Sequence, residues 1–304
     1  MTDMFSLLFM QRALLAALLV GITAPSVGIY LVQRRQALMG DGIGHVALTG
    51  VGLGLLFNAS PTWMAVLVCI AAAVIMELVR SRGNQRGDIA LAMLFYGGMA
   101  CGRLLISKAP GAGGASGSLD SYLWGSVLAM EDNDLITIAA LGAVVVAICL
   151  GLRRQLFAVC QDEEFARVTG LPVRWLNLLL AVMAAVTVTV AMRAVGVLLV
   201  SGLMVVPVAA AQLLTRSFRA TQLLSVVIGV LVSVGGVVTS YQADVPPGSA
   251  IVLLAIACFA LFSALAAPLA RRRYRHGGGT ATELPIPVQS GVTAESVGGK
   301  GLAQ

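Results

Sequence analysis

Apolar segments of about 15 to 20 residues recur nine times along the chain, and nothing else in the sequence limits its fold so strongly. Each is roughly the length needed to cross a 30 Å hydrocarbon core. They fall at 13–32, 43–57, 63–79, 89–105, 135–152, 176–192, 195–214, 223–240 and 250–269. Eight spans remain if one segment is re-entrant. A bilayer offers no water to unsatisfied backbone groups, so each segment must be a helix. The composition agrees. Of 304 residues, 58% are hydrophobic and only 11% charged, against about a quarter charged in a soluble domain. The expected fold is an all-α, polytopic transmembrane bundle solvated by membrane lipid.

The basic residues fix an expected orientation. Fifteen arginines lie in the connections after odd-numbered spans and beyond the last one, among them Arg34, Arg80, Arg153, Arg167, Arg216 and Arg271. Only Arg12, Arg103, Lys108 and Arg193 lie on the other side. Positive charge concentrates in cytoplasmic loops, so the C-terminus is expected inside and the N-terminus outside. The formal net charge of +6 is scattered singly between apolar runs and gives no basic patch for nucleic acid. Expected domains are an N-terminal segment 1–12, a membrane domain 13–272 and a disordered cytoplasmic tail 273–304. The outer loop after the fourth span begins with a flexible Gly/Ser/Ala stretch at 110–118. Tyr122 and Trp124 after it read as interfacial anchors. The five cysteines show no close pairing and read as small buried hydrophobes.

Ionisable residues inside spans are costly, so the few present carry information. Asp41 and His45 open the second span at i,i+4 spacing, on one helix face. A carboxylate oxygen and an imidazole nitrogen suit a divalent transition metal such as Zn²⁺ or Mn²⁺. Gly40 and Gly44, then Gly50 and Gly54, form two small-xxx-small patterns that permit close helix packing. A short, glycine-interrupted segment also points to a transporter's substrate site. An ordinary reading stands beside this one: Asp41 as a helix cap and His45 as a hydrogen-bond partner of a neighbouring span. This span begins only six residues after Arg35, so either the preceding segment dips into the membrane or the pair serves the inner half of a path. Glu77 reads as a partner of Arg80. Arg103 and Arg193, at outer helix ends, read as snorkelling.

On the positive side, Asp162, Glu163 and Glu164 load the first turn of a short helix that continues through Phe165 and Ala166. Negative charge there suits the helix dipole. Gly170 supplies a stop, with Pro172 just beyond. Such an element reads either as a docking helix for a cytoplasmic partner or as a solvated connector.

Four stretches, in order, resemble the permease subunits of zinc/manganese ATP-binding-cassette importers: 34–54 (RRQALMGDGIGHVALTGVGLG), 162–173 (DEEFARVTGLPV), 195–207 (VGVLLVSGLMVVP) and 246–252 (PPGSAIV). Where that family commonly reads Phe-Gly-Asp or Phe-Gly-Asn before the fifth span, this chain has Trp124, Gly125 and Ser126. The resemblance implies a type II importer-like permease in a bacterial plasma membrane. It implies a homodimer of permease chains, two cytoplasmic ATPase subunits and an extracytoplasmic metal-binding protein. It makes Asp41 and His45 contacts of the transported ion, zinc first and manganese second. It makes Asp162, Glu163, Glu164, Phe165, Ala166 and Gly170 part of the helix that couples to the ATPase. No cofactor is expected on this chain, and ATP belongs to the partner: a phosphate-binding loop of the Gly-x-x-x-x-Gly-Lys-Ser/Thr type is absent. The chain is therefore expected to be a transport subunit and not an enzyme by itself. A secondary metal or ion transporter driven by a gradient is the main alternative. It would normally bury more carboxylates or histidines than Asp41 and His45. An intramembrane serine protease fits poorly, because His45 is the sole histidine in a span and no span contains Gly-x-Ser-Gly.

Overall fold

A computed structural model describes residues 8–81, 86–109, 122–125 and 132–277. Eleven helices carry these residues apart from 122–124, which make a short helical turn. In chain order they are α1 (Leu8–Gln33), α2 (Met39–Leu56), α3 (Pro61–Arg80), α4 (Arg86–Lys108) and α5 (Asp132–Gly151). The short α6 (Arg153–Gln161) and α7 (Glu163–Val168) follow, then α8 (Val173–Val195), α9 (Val197–Leu214), α10 (Phe218–Ala243) and α11 (Pro247–Gly277). Eight of them are long and apolar enough to cross a membrane, and the apolar part of α9, Leu199–Leu214, is shorter. The nine apolar segments thus each become one helix. The flexible stretch expected at 110–118 and most of the tail expected at 273–304 lie outside the described residues. Residues 1–266 form one compact unit and 267–304 a second, of which the helical end of α11 is described.

Burial sorts the long helices into an inner and an outer set. In α1, α2 and α8, 72% of the most apolar window is buried; in α4 and α11 the share is 17%. The exposed faces of α4 and α11 carry Ile89, Met93, Leu104, Leu253 and Leu261. In a soluble protein such surface would aggregate; here it is the face offered to lipid or to another membrane chain.

Small residues bring the inner helices together. At Gly21 and Gly229 the backbones of α1 and α10 nearly touch: a Cβ on Gly229 would lie 2.6 Å from the Gly21 carbonyl oxygen. That carbonyl lies four residues before Pro25, whose missing N–H cannot bond it. Where the α1 ladder is interrupted, α10 therefore approaches most closely.

α2 begins at Met39, four residues before the apolar segment that announced it, and has 18 residues, about 27 Å. Gly40, Asp41 and Gly42 are too polar or too small to register as a membrane segment. They are nonetheless helical, because this end of α2 lies among other helices.

Candidate functional site

α2 carries glycine on three faces, and each face meets a different helix. Gly40 and Gly44 face α9, where added Cβ atoms would lie 3.4 Å from Met204 Sδ and 3.2 Å from Val197 O. Gly50 and Gly54 face α3, with Cα atoms of Ala65 and Pro61 at 2.4 and 2.7 Å from the same added atoms. Gly42 and Gly52 face Leu91 and Leu105 of α4. α4 answers with its own glycines: a Cβ on Gly98 would sit 2.9 Å from the His45 carbonyl carbon, and one on Gly102 would sit 2.8 Å from that of Leu48. This small-xxx-small pair on α4 is readable in the sequence but does not figure among the expected packing residues. Thr49 Oγ1 ties the two helices further by donating to Gly98 O at 2.9 Å.

This packing sets the depth of Asp41 and His45. Ile43, between them in sequence, accepts a weak hydrogen bond from Cys69 Sγ at 3.6 Å. Cys69 stands eight residues from Pro61 and eleven from Arg80, about 12 and 16 Å along α3. Gly98, against His45, is likewise near the middle of α4. The pair therefore lies in mid-bundle. Of the two placements left open by the sequence, the chain after Arg35 does run inward.

His45 Nε2 is 4.0 Å from Asp41 Oδ1, too far for a hydrogen bond. Ser201 Oγ of α9 approaches the same carboxylate oxygen at 3.5 Å. The imidazole edge packs on Phe95, ring centroids 4.0 Å apart. Its Nδ1 is buried without a hydrogen-bond partner. Buried polar atoms are normally satisfied, so this nitrogen is open to a hydrogen bond or a ligand from outside the chain. The His45 side chain is 4% exposed and that of Asp41 29%, so the carboxylate is the group reachable from outside the chain. Among the described residues no set of three or more His, Cys, Asp or Glu gathers anywhere. One chain thus offers a carboxylate, an imidazole and a hydroxyl, which is less than a full coordination shell.

The short helix α7 is built as its sequence suggests. Asp162 is the N-cap, its Oδ1 accepting from Phe165 N at 2.9 Å. Gly170 ends the turn at φ +83 and donates to Arg167 O, while Leu171 N reaches Ala166 O. Ala166 is fully buried, whereas Glu164, Phe165 and Val168 are exposed. Glu163 faces inward: Oε2 accepts from Arg34 Nη2 at 3.1 Å and Oε1 from Arg167 Nη2 at 3.3 Å. Arg34 Nη1 also donates to Asn177 Oδ1 of α8 at 2.6 Å. Burial lowers the Arg34 pKa and Arg80 adds to that, against the pull of Glu163. Burial also pushes the neighbouring Cys160 thiol up to about 11, so it stays protonated. Beside α7 opens a cleft of about 1050 Å³ lined by Glu77, Arg80, Glu163, Arg167, Arg174 and Trp175. Glu77 meets Arg80 there at 3.6 Å, as expected.

At the opposite end three backbones converge. A Cβ on Gly196 would lie 2.4 Å from Leu123 O, one on Gly125 2.8 Å from Ala194 O, and one on Gly248 2.8 Å from Trp124 O. Gly125 and Gly196 also have φ of +79 and +91, open to glycine alone at low cost. This node joins the turn at 122–125 to the start of stretch 195–207 and to stretch 246–252. Arg193 does not snorkel here: it pairs with Asp134, donates to Tyr122 Oη at 3.1 Å and lies over the Tyr122 ring.

The family model for the ABC 3 transport family matches residues 6–266. The chain belongs to that family. It is 33% identical over 85% of its length to the manganese transport system membrane protein MntC of Halalkalibacterium halodurans, covering 88% of that protein. It is 32% identical over 87% of its length to the manganese import system permease protein ScaB of Streptococcus parasanguinis, covering 92% of it. Among solved structures, a chain of PsaBC from Streptococcus pneumoniae in complex with Fab superposes with a TM-score of 0.77 at 30% identity, covering 86% of this chain and 93% of that one. This chain is a multi-pass membrane protein with the helical fold of an ABC importer permease.

Proposed function

We propose that this chain is the permease of an ATP-driven importer of a divalent transition metal in a bacterial cell membrane, with Asp41 and His45 contacting the ion. The observation that supports this most is the mid-bundle pair beside Ser201, with an orphaned imidazole nitrogen, inside a member of this family. Oxygen-rich donors with one imidazole suit manganese as well as zinc. The sequence puts zinc first; relatives named for manganese support placing manganese first instead.

One chain supplies too few ligands, so a second copy would bring another Asp41 and His45 to complete the shell. Transport would proceed by alternating access: an extracytoplasmic binding protein releases the ion, and ATP-driven closure of two cytoplasmic ATPases reaches the permease through α7. The exposed Phe165 and Val168 are apolar side chains on an otherwise charged end, and suit a cleft in the ATPase. The fifteen arginines on the α7 side support a cytoplasmic C-terminus. A gradient-driven carrier is favoured by no observation here.

Metal content and ⁵⁴Mn uptake test the reading in cells expressing the chain with its ATPase and binding protein. Asp41→Ala and His45→Ala should each cut uptake at least tenfold at equal membrane abundance. Unchanged uptake in both would remove the ligand assignment. A wild-type complex that takes up no divalent metal would remove the cargo.

A further inference from the structure

Arg34 is the first residue past α1 and stands five before Met39, where α2 begins. Its side chain is only 6% exposed, a full charge held inside the protein. Such a group is retained at a cost unless it is well paired. It is paired twice, to Asn177 of α8 and to Glu163 of α7. Among the described residues, the side-chain hydrogen bonds and ion pairs of α7 reach beyond its own turn only through Glu163 to Arg34.

The connection from Arg34 to α2 has no slack. Arg34 N donates to Tyr30 O, Arg35 N to Val32 O, Gln36 N to Leu31 O and Met39 N to Gln36 O, all between 2.8 and 3.1 Å. Arg35 is held at φ +58, a conformation an arginine adopts only when its surroundings impose it. These bonds tie Arg34 closely to the first turn of α2. Two residues beyond Met39 stands Asp41.

We propose that Arg34 is a positioning residue that transmits movement of α7 to α2, and so links the ATPase-facing helix to the Asp41/His45 pair. This rests on the functional reading above. Arg34 touches neither ion nor ATPase. Its removal should therefore separate ATP hydrolysis from transport without abolishing either assembly or hydrolysis.

The test uses the full complex of permease, ATPase and binding protein in proteoliposomes, with Mn²⁺ transported and ATP hydrolysed measured together. Arg34→Gln should keep ATPase association and basal hydrolysis while transported ion per ATP falls at least fivefold. Arg34→Lys, which keeps the charge but cannot span two acceptors at once, should fall between. Exchanging the charges as Arg34→Glu with Glu163→Arg should restore part of the ratio. A purely structural role would lower transport and hydrolysis together and leave their ratio at the wild-type value; that result in Arg34→Gln overturns the proposal. If Arg34→Gln is not recovered, Glu163→Gln, which removes the α7 side of the same link, decides by the same ratio. A wild-type complex that hydrolyses ATP but moves no metal would overturn the functional reading first, and is seen separately.

Discussion

The two ends of the bundle are fastened by different means. Away from α7, backbones meet at Gly125, Gly196 and Gly248 with no room for a methyl group, and Arg193 is locked between Asp134 and Tyr122. At the α7 end, long side chains reach across space. Arg34, Glu163, Arg167 and Asn177 make the links, and a cleft of about 1050 Å³ lies beside them. Close-packed backbone has one arrangement and resists displacement. Ion pairs on flexible stems tolerate small shifts without breaking. One end holds the helices in register by packed backbone, and the other joins them by side chains that leave room for displacement.

Substitutions at the two ends should separate accordingly. The largest effect is expected at the node: Gly196→Ala forces a Cβ to 2.4 Å from a carbonyl oxygen at positive φ. Strain and overpacking together should cost more than about 3 kcal/mol. Little monodisperse protein should then survive size-exclusion chromatography in detergent. Arg193→Ala removes the ion pair to Asp134 and the hydrogen bond to Tyr122. A loss of about 2 kcal/mol, discounted for partial exposure, should show as a lower thermal midpoint. Arg34→Gln should lower that midpoint less, by the equivalent of about 1–2 kcal/mol, because Glu163 keeps Arg167 and is 39% exposed. A larger thermal effect at Arg34 than at Arg193 would reverse the comparison. Gly170 controls for conformation alone: it has φ +83 but nothing within 4 Å of an added Cβ. Gly170→Ala should cost about 1 kcal/mol, and co-purification of the ATPase reports whether α7 keeps its shape. The smallest effect is expected midway, where Thr49→Val removes one interhelical hydrogen bond worth about 0.6 kcal/mol.

The helices were legible because membrane-crossing length is a local property that needs no knowledge of neighbours. Asp41 and His45 were legible as a pair because i,i+4 spacing is also local. What escaped is long-range. Ser201 lies 160 residues from Asp41, and nothing in its own surroundings marks it as a companion of a carboxylate. Arg193 and Asp134 are separated by 59 residues, so an arginine at a helix end reads as snorkelling until its partner is seen. In the sequence Arg34 is one loop arginine among fifteen, since burial of a loop arginine leaves no trace in composition. The start of α2 was misplaced for a related reason: a helix that begins among other helices needs no apolar sequence there. Gly98 and Gly102 carried a readable signal, the same spacing noted on α2.

Glycine on three faces of α2 has a consequence for how such a transporter changes its cargo. With hydrogen in place of side chains at Gly40, Gly42, Gly44, Gly50, Gly52 and Gly54, the helix has almost no positions left at which to vary the surroundings of its own Asp41 and His45. If Asp41 and His45 contact the ion as proposed, a new preference among ions would be written on the walls that face α2. Phe95 of α4 and Ser201 of α9 are the nearest such positions, so engineered or evolved changes of selectivity should accumulate on those two helices while α2 itself stays fixed.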